Sequence, residues 1–270
     1  MELDMDPKKP SGIMLSCYYK QNREGEHFVP EHTLQYTMAG SLVLNDGQTK
    51  YPSHIGSLRF IRRNQLLKFI KQPPDKGEFR SLSIYLDQRI LKNFSLEYGI
   101  VAKKKDHEVR ILEIDMDKLL KNYMESLLMY HKTNGPDSQL LMDLKLKEGV
   151  LLLLRTNPEL KNVLFDFAEP HKIDLEGFMI KNYHFNVKLQ RFAYLTGRSL
   201  ATFKRDFEKV FGTAPGQWIR QKRLQEAHYL ITKKGMTASD IYLDLGFEDL
   251  SHFSHTFKKQ FGASPSKIIF

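Results

Sequence analysis

Cysteine is almost missing from this chain of 270 residues: Cys17 stands alone. One thiol excludes an intrachain disulfide framework and a cysteine-only metal cluster, and fits a reducing compartment. No motif suggests that this thiol is an activated thiolate. Long apolar runs are missing too. The most apolar stretch, Val150 to Leu154, is far too short to span a bilayer. The N-terminus carries Asp4 and Asp6 and no apolar run after a basic start, so no signal peptide is expected and the cytoplasm is the expected location. His27, His32 and His54 are scattered, with no H-x-H pair followed by a glutamate. They read as surface or strand-end residues, and no metal or other cofactor is expected. A nucleophile elbow and a phosphate loop are likewise missing.

Positive charge is abundant and unevenly placed. The net charge is +9. Residues 171–270 hold 16 Lys and Arg against 9 Asp and Glu, a net of +7, and the first 170 residues carry only +2. A charge excess confined to one segment is the footprint of a polyanion-binding surface, although a solvated basic face has the same composition.

The basic segment contains a repeat. Leu195, Leu200, Phe203, Phe207, Lys209, Phe211, Gly212 and Pro215 recur as Leu245, Leu250, Phe253, Phe257, Lys259, Phe261, Gly262 and Pro265, always 50 residues on. A fixed period marks one supersecondary unit used twice. In each copy the apolar residues fall at i, i+3, i+7 and i+11, a single helical stripe. Ser199 and Asp249 are natural N-caps, Pro215 and Pro265 suit first helical positions, and Thr237 with Asp240 resembles a capping box. The segment reads as seven helices: Leu175–Tyr183, Val187–Leu195, Ser199–Phe211, Pro215–Thr232, Ala238–Leu245, Leu250–Phe261 and a short one from Pro265. A small Ala193 and a turn glycine, Gly197, complete a helix-turn-helix, whose second helix can enter a major groove.

Facing away from the first stripe are Ala201, Lys204 and Arg205. Arg205 suits bidentate pairing with guanine O6 and N7, Lys204 a base or a phosphate, and Ala201 a thymine methyl. The second helix offers Ser251, His252, Ser254 and His255, weaker hydrogen-bonding groups, so the first helix is expected to specify sequence more sharply. Lys181, Lys188, Arg198, Lys209, Lys222, Lys258 and Lys259 are the expected phosphate contacts. The joining helix would be about 27 Å long, comparable with the ~34 Å recurrence of the major groove.

These residues resemble the DNA-binding domain of the AraC/XylS family of bacterial transcription regulators. The resemblance runs from Ala193, Gly197, Ser199, Phe207 and Gly212 through Arg223, Leu224, Ala227 and Leu230. It ends on Ile241, Gly246-Phe247, Phe253, Phe257-Lys258 and Gly262-x-x-Pro265. It implies a seven-helix domain with two recognition helices, and by position the same seven base-reading residues. Tyr242 departs from the pattern, which commonly has alanine there.

The N-terminal half has another character. Candidate strands are Thr33–Ala39, Ser41–Leu44, Ser57–Ile61, Leu66–Ile70 and Phe79–Leu86, separated by Asn45-Asp46-Gly47 and Pro73-Pro74-Asp75-Lys76-Gly77. Short strands between turns predict a barrel or sandwich. Glu31-His32-Thr33-Leu34, Gly40-Ser41-Leu42 and Gly56 to Asn64 resemble the cupin-like domains that precede this DNA-binding module. That implies either a ligand pocket in the barrel or a protein partner. Residues 1–12 read as a frayed end. Helices are predicted over Asp117–Lys132 and, after the break Asn134-Gly135-Pro136, over Ser138–Thr156, capped by Asp137 or Ser138; from Val150 the second is apolar on nearly all sides, as for a helix buried inside the protein or inside a dimer. Their apolar faces serve homodimerisation or packing on the barrel equally well.

The expectation is an α+β chain: a cupin-like β-barrel or jelly roll over 1–105, a helical linker and dimerisation element over 106–170, and an all-α domain with two helix-turn-helix units over 171–270. The expected function is sequence-specific DNA binding by a non-enzymatic transcription activator, with double-stranded DNA and RNA polymerase as partners. The alternatives are a cupin-type enzyme with a DNA-binding tail, or a regulator switched by a partner protein.

Overall fold

The computed structural model describes residues 12–18, 23–104, 109–130 and 138–268. The chain divides into two units, with the boundary between Ala168 and Glu169. Asp4, Asp6, the 134–136 break and Asp137 lie outside the described residues, as does the side chain of His27.

The first unit is built on two antiparallel sheets. Its strands are β1 (Gly12–Tyr18), β2 (Arg23–Val29), β3 (His32–Ala39), β4 (Ser41–Asn45), β5 (Lys50–Ser53), β6 (Leu58–Ile61), β7 (Gln65–Gln72), β8 (Phe79–Leu86) and β9 (Ile111–Ile114). One sheet has the order β1-β8-β3-β6-β9, the other β2-β7-β4-β5. The helices are α1 (Gln88–Tyr98), α2 (Lys118–Tyr130), α3 (Ser138–Thr156) and the single turn α4 (Lys161–Leu164).

Strand alternation gives the five-stranded sheet two distinct faces. Leu34, Leu58, Phe60, Leu82, Ile84 and Leu86 form one core with the inner sides of α1, α2 and α3, including Phe94, Tyr123, Leu146, Val150 and Leu153. Ile61 and Phe79 pack with Val29, Leu42, Leu44 and Leu67 of the other sheet in a second core. The residues alternating with Leu34 and Tyr36, namely Thr33, Gln35 and Thr37, are buried and polar. Gln35 Nε2 donates to Thr37 Oγ1 at 3.1 Å, and the buried Arg59 donates to the carbonyls of Tyr51 and Pro52.

All five predicted strands are present, with ends shifted by at most two residues. Four further strands, β1, β2, β5 and β9, and the helix α1 are not among the elements predicted from the sequence. Gly12, placed in the frayed end by the sequence, opens β1 opposite Tyr85. β9 falls in the stretch read as helical and pairs with β6. α3 starts at Ser138 as predicted, and within the single chain its burial is one-sided. Val150 and Leu153 are buried, whereas Leu151 is 46% exposed, and Leu140 (66%) and Leu144 (62%) are more so. The inner side of α3 is held close to α2: a Cβ on Gly149 would overlap the Tyr123 hydroxyl.

The second unit is helical: α5 (Leu175–Asn182), α6 (Leu189–Leu195), α7 (Leu200–Phe211), α8 (Pro215–Lys234), α9 (Ala238–Ile241), α10 (Leu250–Phe261) and a 3-10 turn at Pro265–Lys267. Six of the seven predicted helices lie within two residues of expectation. α9 is four residues long instead of eight, because the chain tightens into turns ahead of Gly246, whose φ is +82°. No helix among the described residues is long and apolar enough to cross a membrane.

Candidate nucleic-acid interface

α7 and α10 are started and stopped by the same devices. Ser199 Oγ accepts from Thr202 N at 3.2 Å and Asp249 Oδ1 from His252 N at 2.6 Å, each satisfying a donor that the helix leaves open. Gly212 and Gly262 end the helices in the left-handed conformation. Phe203 and Phe207, and their repeats Phe253 and Phe257, are fully buried. With the stripe inward, the opposite side of each helix faces solvent.

The turn before α7 is fixed from below. Thr196 is buried and its hydroxyl donates to the carbonyls of Phe192 and Ala193. Gly197 has φ +65°, and a Cβ there would overlap the backbone of His171 and Lys172, so this turn admits only glycine. In the second unit the turn glycine is Gly246, one position earlier relative to its helix, and a Cβ there would strike the His184 carbonyl and the Arg223 guanidinium.

α8 carries the two units on one rod of 20 residues, about 30 Å long at 1.5 Å per residue. Trp218 near its start closes the aromatic ladder of the first unit, 4.4 Å from Phe211 and 5.5 Å from Phe207 between ring centroids. His228, ten residues on, does the same in the second, 4.7 Å from Phe261 and stacked on Phe257 at 6.3 Å. Leu224, Ala227 and Ile231 of the same helix pack with Ile241, Leu245, Phe253 and Phe257.

Residues 192–269 match a helix-turn-helix domain family, and residues 32–164 match the ExsA N-terminal regulatory domain family. The chain belongs to the AraC/XylS family of transcription regulators. It is similar to the HTH-type transcriptional regulator ExsA of Pseudomonas aeruginosa, 28% identical over 254 residues, which span 92% of this chain and 87% of that protein. VirF of Yersinia enterocolitica, a virulence regulon transcriptional activator, is 27% identical over 252 residues, 88% of this chain and 90% of its own. The thermoregulatory protein LcrF of Yersinia pestis is 28% identical over 233 residues, 83% of each chain. The chain is a DNA-binding transcription regulator.

In this AraC-type unit the side chains named for base reading sit as follows. Ala201, Lys204 and Arg205 are exposed on α7, and Arg205 is 65% exposed and 3.5 Å from Asp206. Ser251, His252 and His255 are exposed on α10, and Ser254 is half-buried. Among the phosphate candidates Lys181, Lys188, Lys209, Lys222, Lys258 and Lys259 are exposed. The Lys222 ammonium lies 5.7 Å above the Trp218 ring.

Arg198 is corrected. Its side chain is only 6% exposed, and its guanidinium donates to Asp206 at 3.1 Å and to the carbonyls of Ile173 and Thr196 at 3.1 and 2.7 Å. With its donors turned inward, Arg198 braces the turn and does not present its charge to a phosphate. The hydrogen bond from Arg198, helped by one from Lys172, holds the Asp206 carboxyl below the usual carboxylate range. Tyr242, the departure from the family pattern, is half-buried and packs against the Ile241–Phe257 cluster.

The sequence reading missed Trp218 and His228. A signal for the first was present, because the 50-residue offset extends from Pro215 and Pro265 to Trp218 and Ile268, and Ile268 packs against the second core.

Proposed function

We propose that the protein grips promoter DNA by inserting α7 and α10 into two successive major grooves on one face of the duplex. One observation carries this reading. A continuous helix of about 30 Å holds the cores of both units, and the groove recurs every ~34 Å. Arg205 reads guanine, Lys204 and Ala201 complete the first contact, and Ser251, His252, Ser254 and His255 make the weaker second one. Lys181, Lys188, Lys209, Lys222, Lys258 and Lys259 supply the salt-dependent attraction.

The protein acts in the cytoplasm as an activator that recruits RNA polymerase, without enzymatic activity. The relatives named regulator and activator support that role. We assign DNA binding to residues 171–270, regulation to the barrel of residues 1–105, and coupling and dimerisation to 106–170. Leu140, Leu144 and Leu151, on one side of α3 and exposed, are the proposed contact with a second copy.

The experiment is footprinting of the full chain on duplexes that it selects from a random pool. Two protected patches one helical turn apart are expected. Protection of a single half-turn, or no preference for any sequence, would overturn the proposal.

A further inference from the structure

We propose that Arg223 is a positioning residue: it sets the angle and distance between the two recognition helices, and through them the half-site spacing that the protein accepts. This rests on the two-groove reading above.

Arg223 lies midway on α8 between Trp218, which serves the first unit, and His228, which serves the second. Its guanidinium is divided between the two. Nε donates to the Tyr183 carbonyl at 2.8 Å and Nη2 to the Phe185 carbonyl at 2.9 Å, both in the connection from α5 to α6. Nη1 donates to the Gly246 carbonyl at 2.6 Å, in the turn that aims α10. A planar fork with donors in fixed directions joins three carbonyls at fixed mutual angles, which a flexible ammonium does not do.

The surroundings are shaped to this fork. Gly246 has φ +82°, and a Cβ there would come within 2.8 Å of Arg223 Cζ and 2.9 Å of its Nη2. The same Cβ would overlap the His184 carbonyl, so the second unit's turn is pressed directly on the first unit's loop. Asn186 Nδ2 adds a bond across the same seam to Glu248 Oε1 at 3.0 Å. The Tyr183 ring stands edge-on to Trp218 at 6.1 Å, which ties the loop back to the first core. The apolar packing of α9 and α10 on α8 is non-directional and keeps the second unit attached. The directional bonds of Arg223 fix its orientation.

The test uses the full chain on a two-part site selected by the wild type, with the separation of its halves changed by one and two base pairs. The wild type is expected to lose about tenfold for the first misplaced base pair, the size of one base mismatch. Arg223→Lys and Arg223→Met are expected to weaken the best site about tenfold yet to flatten the spacing profile to less than about threefold. Binding of a lone first half-site should stay unchanged, which also reports that the first unit is folded. A variant that weakens all spacings alike and keeps the wild-type profile would overturn the inference while leaving the two-groove reading intact. A wild-type footprint of one patch would overturn both.

Discussion

Arg198 donates from Nε to Asp206 Oδ2 at 3.1 Å, so a basic residue at the mouth of α7 faces into the fold. Asp206 is on α7 itself and Arg198 is in the turn before it. The bond therefore sets how α7 leaves the turn. Replacing Arg198 with Met is expected to lower the midpoint of thermal unfolding by several degrees while leaving unchanged the slope of DNA affinity against salt. Calorimetry and salt titration check the two halves separately. A shallower slope would return Arg198 to the phosphate-contacting set.

The same pair gives an acid limb. Because the folded carboxyl of Asp206 is held below its unfolded value near 3.9, the pair stabilises the fold above that pH. The contribution is lost as pH falls through the folded value. Asp206→Asn should remove this part of the decline below about pH 4, read from denaturant midpoints across the acid range.

Arg205 is expected to behave in the opposite way to Arg198. Arg205→Ala should weaken specific binding by about 1–3 kcal/mol and relax the preference at one base pair. Lys209→Ala should instead weaken all sequences alike and reduce the salt slope by about one. Selection from a random pool with each variant distinguishes them, and a uniform loss in Arg205→Ala would reassign that side chain to a phosphate.

Trp218 should behave as a core residue of the first helix-turn-helix. It is nearly buried against Phe207 and Phe211, so Trp218→Ala is expected to cost about 3–5 kcal/mol by denaturant unfolding. Leu250 carries the repeat's first stripe position but is 39% exposed, and Leu250→Ala should cost far less.

His32 gives the N-terminal unit a separate pH dependence. Burial, and then the charges of Arg63 and Arg62, hold the imidazole well below its ordinary value, so it stays neutral in the fold. Its Nδ1 accepts from the Arg63 backbone at 3.3 Å and its ring stacks on Phe60. Below about pH 6.5 the unfolded chain takes up a proton that the folded chain refuses, so stability falls with pH by up to about 1.4 kcal/mol per unit. His32→Gln should flatten this limb between pH 6.5 and 5. An unchanged limb would show that another group titrates there.

Elements whose cues are local were legible in the sequence. Ser199, Asp249 and the Thr237–Asp240 box act within one turn, and each makes its predicted bond. β5 was not legible because Pro52 argues against a strand unless the strand is an edge, and only the sheet order puts β5 there. β1 was missed because its partner, β8, lies some seventy residues away in sequence. Arg198 was misread because composition treats every exposed-looking cation alike, whereas Asp206 and two carbonyls reach it only once the turn is folded.

The sequence alone determined the repeat, its apolar stripes and its caps, since these rest on helical periodicity and on bonds between near neighbours. Tertiary structure decided which cations face solvent, which face of α3 stays open, and how the two helix-turn-helix units are joined. Those depend on donors and acceptors far apart along the chain. Arg223 meets Tyr183 and Gly246 across 40 and 23 residues, and no local pattern encodes that meeting.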